Sequence, residues 1–216
     1  MPKINLTRCA ARLHLLPLAA PLRLHRGAAI RDSGWLRSFV EQKSVDAAGN
    51  PIPFMSYAAV DLLAERVPYG VSVFEFGSGY STLWWAARAK RVVACEHDEK
   101  WRALVMQMAP ARVDILCRTV DSSGSYSRTI AEARGPFDVV VIDGRQRVQC
   151  SRACLPFLTE DGVIVWDDTD RDRYKPGIQE LRQRGFKQLQ LTGLGPIIAD
   201  RKCTSLFYRN INLLGL

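Results

Sequence analysis

The stretch from Val71 to Trp84, Val-Ser-Val-Phe-Glu-Phe-Gly-Ser-Gly-Tyr-Ser-Thr-Leu-Trp, does most to narrow what this chain can fold into. Val71, Val73 and Phe74 to Phe76 read as a short apolar strand that carries a carboxylate, Glu75, towards its end. Gly77 and Gly79 then supply positive φ and close backbone approach, and Ser81 and Thr82 read as the cap of a helix continued by Leu83, Trp84, Ala86 and Ala87. A helix that begins there leaves unpaired N–H groups facing the turn. Strand, glycine turn and helix in that order make a loop for a nucleotide-type ligand.

The remaining chain repeats the strand-to-helix step. Apolar runs at Arg91 to Cys95, Val113 to Cys117, Phe137 to Ile142 and Val163 to Trp166 alternate with helical spacing after Asp98, around Thr129 to Ala133, from Arg147 to Leu158 and after Pro176. Lys187 to Leu191 and Thr204 to Arg209 follow as two strands joined by the loop Gly193-Leu-Gly195-Pro196, with no helix between them. This pattern predicts an α/β fold, a doubly wound, mostly parallel seven-stranded sheet with a C-terminal antiparallel hairpin. Before it, residues 1–53 read as a basic, helical N-terminal extension, and residues 54–216 as the folded domain. Asp32 or Ser33 is expected to cap a helix that places Trp35, Leu36, Phe39 and Val40 on one face.

The formal charge of +8 is unevenly spread: six lysines and arginines precede the first acid, Asp32, so most of the excess belongs to the extension and the domain is nearly balanced. That distribution argues against a nucleic-acid partner. Residues 1–31 are open to three readings, a packed arm, a membrane-surface or partner-binding segment, and a targeting segment. None of the apolar runs approaches the ~18 residues needed to span a bilayer. The six cysteines, Cys9, Cys95, Cys117, Cys150, Cys154 and Cys203, form no zinc spacing and read as free thiols of a cytoplasmic protein.

The chemistry collects where strands end. Glu75, Glu96, Asp121, Asp143, Asp167 and Asp168 all fall at or just beyond expected C-terminal strand ends, which is where parallel sheets bind ligands. Glu96 lies about twenty residues past the glycine loop, the placement of a carboxylate that accepts from ribose hydroxyls. A nicotinamide dinucleotide would call for a third glycine where Thr82 stands, and a pyrophosphate would suit the neighbourhood of Glu75 poorly. S-adenosylmethionine carries an ammonium, a sulfonium and a ribose, and fits these acids.

Glu75-Phe-Gly77-Ser-Gly79-Tyr-Ser81-Thr82, Glu96-His97-Asp98 and Ile142-Asp143-Gly144 together resemble the successive motifs of class I S-adenosylmethionine-dependent methyltransferases, over roughly Phe54 to Arg209. The resemblance implies a donor site made of Glu75, Gly77, Ser78, Gly79, Tyr80 and Ser81 on the methionine side, Glu96 with His97 at the ribose, Asp121 with Ser122 at the adenine, and Asp143. Ser81 stands at the family's third glycine. A narrower resemblance links Asp143, Asp167 and Asp168 to the acids that hold a divalent cation in catechol-type O-methyltransferases, implying Mg²⁺ or Ca²⁺ there. Those enzymes have a lysine just after the first acid, whereas this chain continues Gly144-Arg145-Gln146-Arg147. Without a metal, Asp143 or Asp167 is the candidate general base, and Arg145 and Arg147 are candidates to hold an anionic acceptor.

The expected function is methyl transfer to a small-molecule acceptor, at oxygen, by a protein that can also be a homo-oligomer. The alternatives are a nicotinamide-dependent oxidoreductase and a non-catalytic S-adenosylmethionine-binding protein.

Overall fold

The computed structural model describes residues 28–216. The readings made for residues 1–27 therefore lie outside the described residues. Seven strands form one sheet in the order β3-β2-β1-β4-β5-β7-β6. They are β1 (Ser72–Phe76), β2 (Arg91–Glu96), β3 (Val113–Cys117), β4 (Phe137–Ile142), β5 (Leu158–Asp167), β6 (Lys187–Leu194) and β7 (Arg201–Tyr208). β1 to β5 are parallel, whereas β7 runs antiparallel to both β5 and β6. The expected doubly wound sheet with a terminal hairpin is what the chain forms, with the last strand inserted between β5 and β6.

Period-two alternation divides the core into two layers. Val73, Val139, Val141, Val163 and Val165 pack into one cluster with Met55, Leu63, Trp84, Trp85 and Val105. These last residues come from α3 (Tyr57–Arg66), α4 (Tyr80–Ala86), α5 (Glu99–Met108) and the segment before α3. Phe74, Phe76, Val140, Ile142, Ile164 and Trp166 point the other way, onto Tyr126, Ile130, Cys150, Ile178 and Leu181. That second layer is built from α6 (Ser125–Glu132), α7 (Arg147–Ala153) and α8 (Lys175–Gln183). Central strands buried on both faces explain their unbroken apolar runs.

Several boundaries differ from the sequence reading. The N-terminal helix is two short pieces, α1 (Ala28–Asp32) and α2 (Trp35–Glu41), because Gly34 adopts φ 80° between them and provides no side-chain cap. Phe39 is 45% and Val40 80% exposed, so the expected apolar face is not buried as a unit. α7 stops at Ala153, a 3₁₀ turn at Leu155–Phe157 follows, and β5 already starts at Leu158. Asp161 and Gly162, which lie between the expected helix and the expected strand, belong to β5, whose register against β4 shifts between Leu158 and Val163. Among the described residues no helix is long and apolar enough to cross a membrane.

Candidate functional site

Strand order reverses at β1, which pairs with β2 on one side and β4 on the other. The turns after β1 and β4 meet beyond the strand ends. Gly77 sits at φ 105°, and a Cβ placed on it would come within 3.2 Å of the Gly144 nitrogen. The two turns thus form the floor of a crevice at the topological switch point. Two cavities open there. One, of about 230 Å³, is lined by Glu75 and Gly77 to Ser81 together with Lys43, Ser44, Phe54, Trp101, Asp143 and Ile197. The other, of about 530 Å³, shares Phe54, Gly77, Ser78, Trp101 and Asp143 and continues past Glu96 and His97 to Asp168 and Lys202.

Gly79, not Ser81, caps α4, and Thr82 reaches back so that its Oγ1 accepts from the Gly79 N–H at 3.0 Å. Thr82 is completely buried there, filling the place a dinucleotide loop would reserve for close helix packing. Ser81 Oγ instead donates to Glu75 Oε1. The second Glu75 oxygen, Oε2, is buried and has no hydrogen-bond partner in the protein. Burial raises the Glu75 pKa to about 7 against the lowering influence of the neighbouring Ser81 and Thr82 hydroxyls. A desolvated carboxylate with an unpartnered oxygen, on a residue that lines a cavity, is suited to pair with a cation. Ser44, 3% exposed on the same lining, also has an unpartnered Oγ, and Lys43 stands beside it in the chain.

Glu96 is 4% exposed and already well supplied with donors. Its Oε2 accepts from Ser78 N and Oγ, both at 3.0 Å. Its Oε1 accepts from His97 N at 2.7 Å and Asp98 N at 3.1 Å, and lies 2.7 Å from His97 Nδ1. His97 Nε2 in turn accepts from Arg145 Nε at 3.3 Å, so the ring carries its proton on Nδ1. Trp101 in α5 donates from Nε1 to the Ser78 carbonyl at 2.7 Å and lies along the glycine turn. The sequence presents Trp101 only as one apolar position of a helix.

Asp121 and Ser122 are not brought to either cavity lining. The Asp121 carboxylate turns into its own loop, where it accepts from Ser123 Oγ and Ser125 Oγ at 2.6 and 2.8 Å, and these bonds hold its pKa well below the usual range. The loop connects to the site through its backbone, since Gln146 Nε2 donates to the Asp121 carbonyl at 2.6 Å.

Asp143, Asp167 and Asp168 do converge, with one oxygen of each within 4.8 Å of the others. Two cations stand among them. Arg147 Nη2 donates to Asp143 Oδ1 at 2.8 Å and its Nη1 to Asp168 Oδ2 at 3.0 Å. Lys202 Nζ lies 2.5 Å from Asp167 Oδ2 and 3.4 Å from Asp168 Oδ1. Thr204 Oγ1 donates to Asp167 Oδ1 at 2.6 Å, and Arg171 pairs with Asp168 Oδ2 at 2.8 Å. Five of the six carboxylate oxygens are thereby engaged by the protein, and only Asp143 Oδ2 is left. The donor set does not fit a Mg²⁺ or Ca²⁺ ion, which would need several of those oxygens at once.

Burial raises Asp167 to about 7, aided by Asp143 and opposed by Lys202. Burial also raises Asp143, with Arg147 and Lys202 working against it. The Arg147 guanidinium has no N–H to spare for an acceptor, because the Gly144, Asp143 and Asp167 carbonyls take the donors its two acids leave. Its sequence role as an acceptor ligand gives way to a structural one. Lys202 is the residue that sequence reading missed. It is a charge in register with Thr204 on an otherwise buried strand, and that alternation was the available signal.

A sheet in this order, with a glycine turn after β1, a buried acid before it and an acid ending β2, defines a class I methyltransferase fold. Residues 74–169 match the family model described as a methyltransferase domain. No curated protein matches the chain in sequence. Among solved structures it is similar to a precorrin-6y C5,15-methyltransferase from Geobacter metallireducens, with 14% identity, 71% of this chain and 87% of that one covered, and a TM-score of 0.56. It is also similar to an rRNA methylase from Streptococcus thermophilus, with 17% identity over 69% and 93% of the chains and a TM-score of 0.54. An O-methyltransferase described as S-adenosylmethionine-dependent, from Thermotoga maritima, aligns with 14% identity over 71% and 64% of the chains and a TM-score of 0.53. At these identities the likeness establishes the fold. The three acceptor chemistries differ.

Proposed function

We propose that S-adenosylmethionine lies across the two cavities with its methionine end at Glu75, and that its methyl group passes to an oxygen of a small molecule admitted beside Asp143. The observation that carries this reading is the buried, unpartnered Oε2 of Glu75, a residue that lines the cavity beside the glycine turn. An ammonium group would satisfy it, and Ser44 Oγ and Lys43 would face the accompanying carboxylate. The ribose would take the places of the Ser78 and His97 side chains on Glu96, the two donors there that can turn away. Asp121 and Ser122 would contribute to the adenine end through their loop backbone.

Bound donor supplies an electrophilic methyl group on a sulfonium. The protein's part is to align an acceptor with it and to receive a proton, a role for which Asp143, with Oδ2 open, is better placed than the enclosed Asp167. The free thiols Cys95, Cys117, Cys150, Cys154 and Cys203 suit a reducing compartment such as the cytoplasm.

The test is calorimetric titration with S-adenosylmethionine, S-adenosylhomocysteine and NAD. Binding of the first two and not the third is expected, with at least tenfold loss in Glu75→Ala. NAD binding, or indifference to Glu75, would overturn the donor assignment.

A further inference from the structure

The acids at the ends of β4 and β5 are arranged as though for a metal, but Arg147 and Lys202 occupy the space among them. Their donor inventories differ. A guanidinium has five N–H bonds. Arg147 spends Nε on the Gly144 carbonyl, Nη1 on the Asp167 carbonyl and Asp168 Oδ2, and Nη2 on the Asp143 carbonyl and Oδ1. An ammonium has three N–H bonds, and Asp167 and Asp168 account for two of those on Lys202. Its Nζ lies 4.2 Å from the centre of the Phe54 ring, and both residues line the larger cavity together with Asp143. One donor on Lys202 and one acceptor on Asp143, Oδ2, therefore remain in a single cavity.

Resting on the donor assignment above, we propose that this centre binds an acidic acceptor hydroxyl, phenolic or enolic, without a divalent cation, Lys202 standing where a metal would and donating its remaining N–H to the acceptor oxygen. Asp143 Oδ2 takes the hydroxyl proton. The oxygen lone pair forms the O–CH₃ bond as the S–CH₃ bond breaks, its electrons stay on sulfur, and the sulfonium becomes a thioether. Lys202 remains protonated and offsets the charge that develops on oxygen before the new bond is complete. Asp167 and Asp168, fixed by Thr204, Arg147 and Arg171, hold the ammonium in place.

The full chain, loaded with S-adenosylhomocysteine, is titrated with Mn²⁺ and separately with 4-nitrophenol at a pH where its hydroxyl is protonated, for the wild type, Lys202→Met and Lys202→Arg. Retained S-adenosylhomocysteine binding certifies the donor site and the fold of each variant, so its loss in the wild type would count against the donor assignment alone. The wild type should show no saturable Mn²⁺ binding below about millimolar concentration, whereas Lys202→Met, which uncovers two carboxylates, should bind Mn²⁺ at least tenfold more tightly. 4-Nitrophenol should bind to the wild type, at least tenfold more weakly to Lys202→Met, and with intermediate affinity to Lys202→Arg. Tight Mn²⁺ binding by the wild type that Asp168→Asn abolishes would overturn the metal-free centre. Phenol binding that is absent, or equal in the wild type and Lys202→Met, would overturn the acceptor role of Lys202. If Lys202→Met fails to fold, Lys202→Gln takes its place, and the wild-type Mn²⁺ titration decides the metal question by itself.

Discussion

Glu75 shows how burial moves an ordinary carboxyl's titration towards neutral pH. Its folded pKa is raised from 4.5 to about 7. The stability contributed by the protonated form is therefore fully present below the unfolded value and is lost as pH rises through the folded one. Each pKa unit corresponds to about 1.4 kcal/mol, so the ligand-free protein should lose roughly 3 kcal/mol of stability between pH 4.5 and 7 from this residue, and Glu75→Gln should flatten that slope in urea titrations. A cationic donor reverses the preference, because it favours the carboxylate. Donor affinity should accordingly rise by up to about tenfold per pH unit as pH approaches 7 from below, and a pH series of titrations that is flat in the wild type would remove Glu75 from the donor site. Arg147 carries a different expectation. Replacing it with Met leaves Asp143 and Asp168 without their shared cation in a site where Arg147 is only 9% exposed. A loss of about 3–5 kcal/mol by denaturant unfolding is expected. The acids themselves were visible in the sequence, because strand ends can be located by where apolar alternation stops. Their cations were not. Lys202 lies 35 residues from Asp167 in the chain, and only the antiparallel entry of β7 beside β5 brings the two together.

At the scale of elements, the turn after β1 works only in company with the turn after β4. Gly144 is the tighter of the two glycines. A Cβ there would run into the Tyr126 hydroxyl and come within 2.9 Å of the Gly77 nitrogen. Backbone cannot swing aside as a long side chain can, and Tyr126 is held by its own hydrogen bond to the Cys95 carbonyl at 3.2 Å. Gly144→Ala should therefore cost about 1–3 kcal/mol in denaturant unfolding and weaken donor binding as well, since the displaced backbone is the floor of the crevice. The glycine turn after β1 could be read from residue types alone, because local chemistry dictates it. The α1–α2 region could not. Trp35 spends its indole N–H on the Ile198 carbonyl at 2.8 Å, a bond from the start of α2 to the β6–β7 loop. Local periodicity has no access to that contact, which is why a single amphipathic helix was the natural expectation and two short pieces are what forms.

For the molecule as a whole, the cavity-lining groups lie beyond the C-terminal ends of the parallel strands, and the chain before the first strand contributes to the same lining. Every described lining residue of the two cavities lies between Gln42 and Lys202. The segment from α2 to Phe54 is thus part of the site as well as of the extension that precedes the domain in the sequence. Val45 bridges Pro51, Ile52 joins the core cluster beneath α3, and Ser56 ties the segment's end to β6 and β7 through the Leu191 carbonyl and Thr204 Oγ1. Two truncations separate what the sequence joined. A chain that starts at residue 28 keeps all of these groups and should retain donor affinity within about twofold. A chain that starts at residue 54 lacks Lys43, Ser44 and the buried Ile52, and should lose donor affinity by at least tenfold. A saturating ligand at about a hundred times its dissociation constant adds about 2.7 kcal/mol, which for a chain of this length raises the melting temperature by roughly 5–10 °C. Thermal melts with and without S-adenosylhomocysteine at a fixed concentration read both effects together. A full ligand-induced rise in the chain starting at residue 54 would show that Lys43 and Ser44 contribute nothing to the donor site and that the boundary at residue 53 divides function as well as sequence.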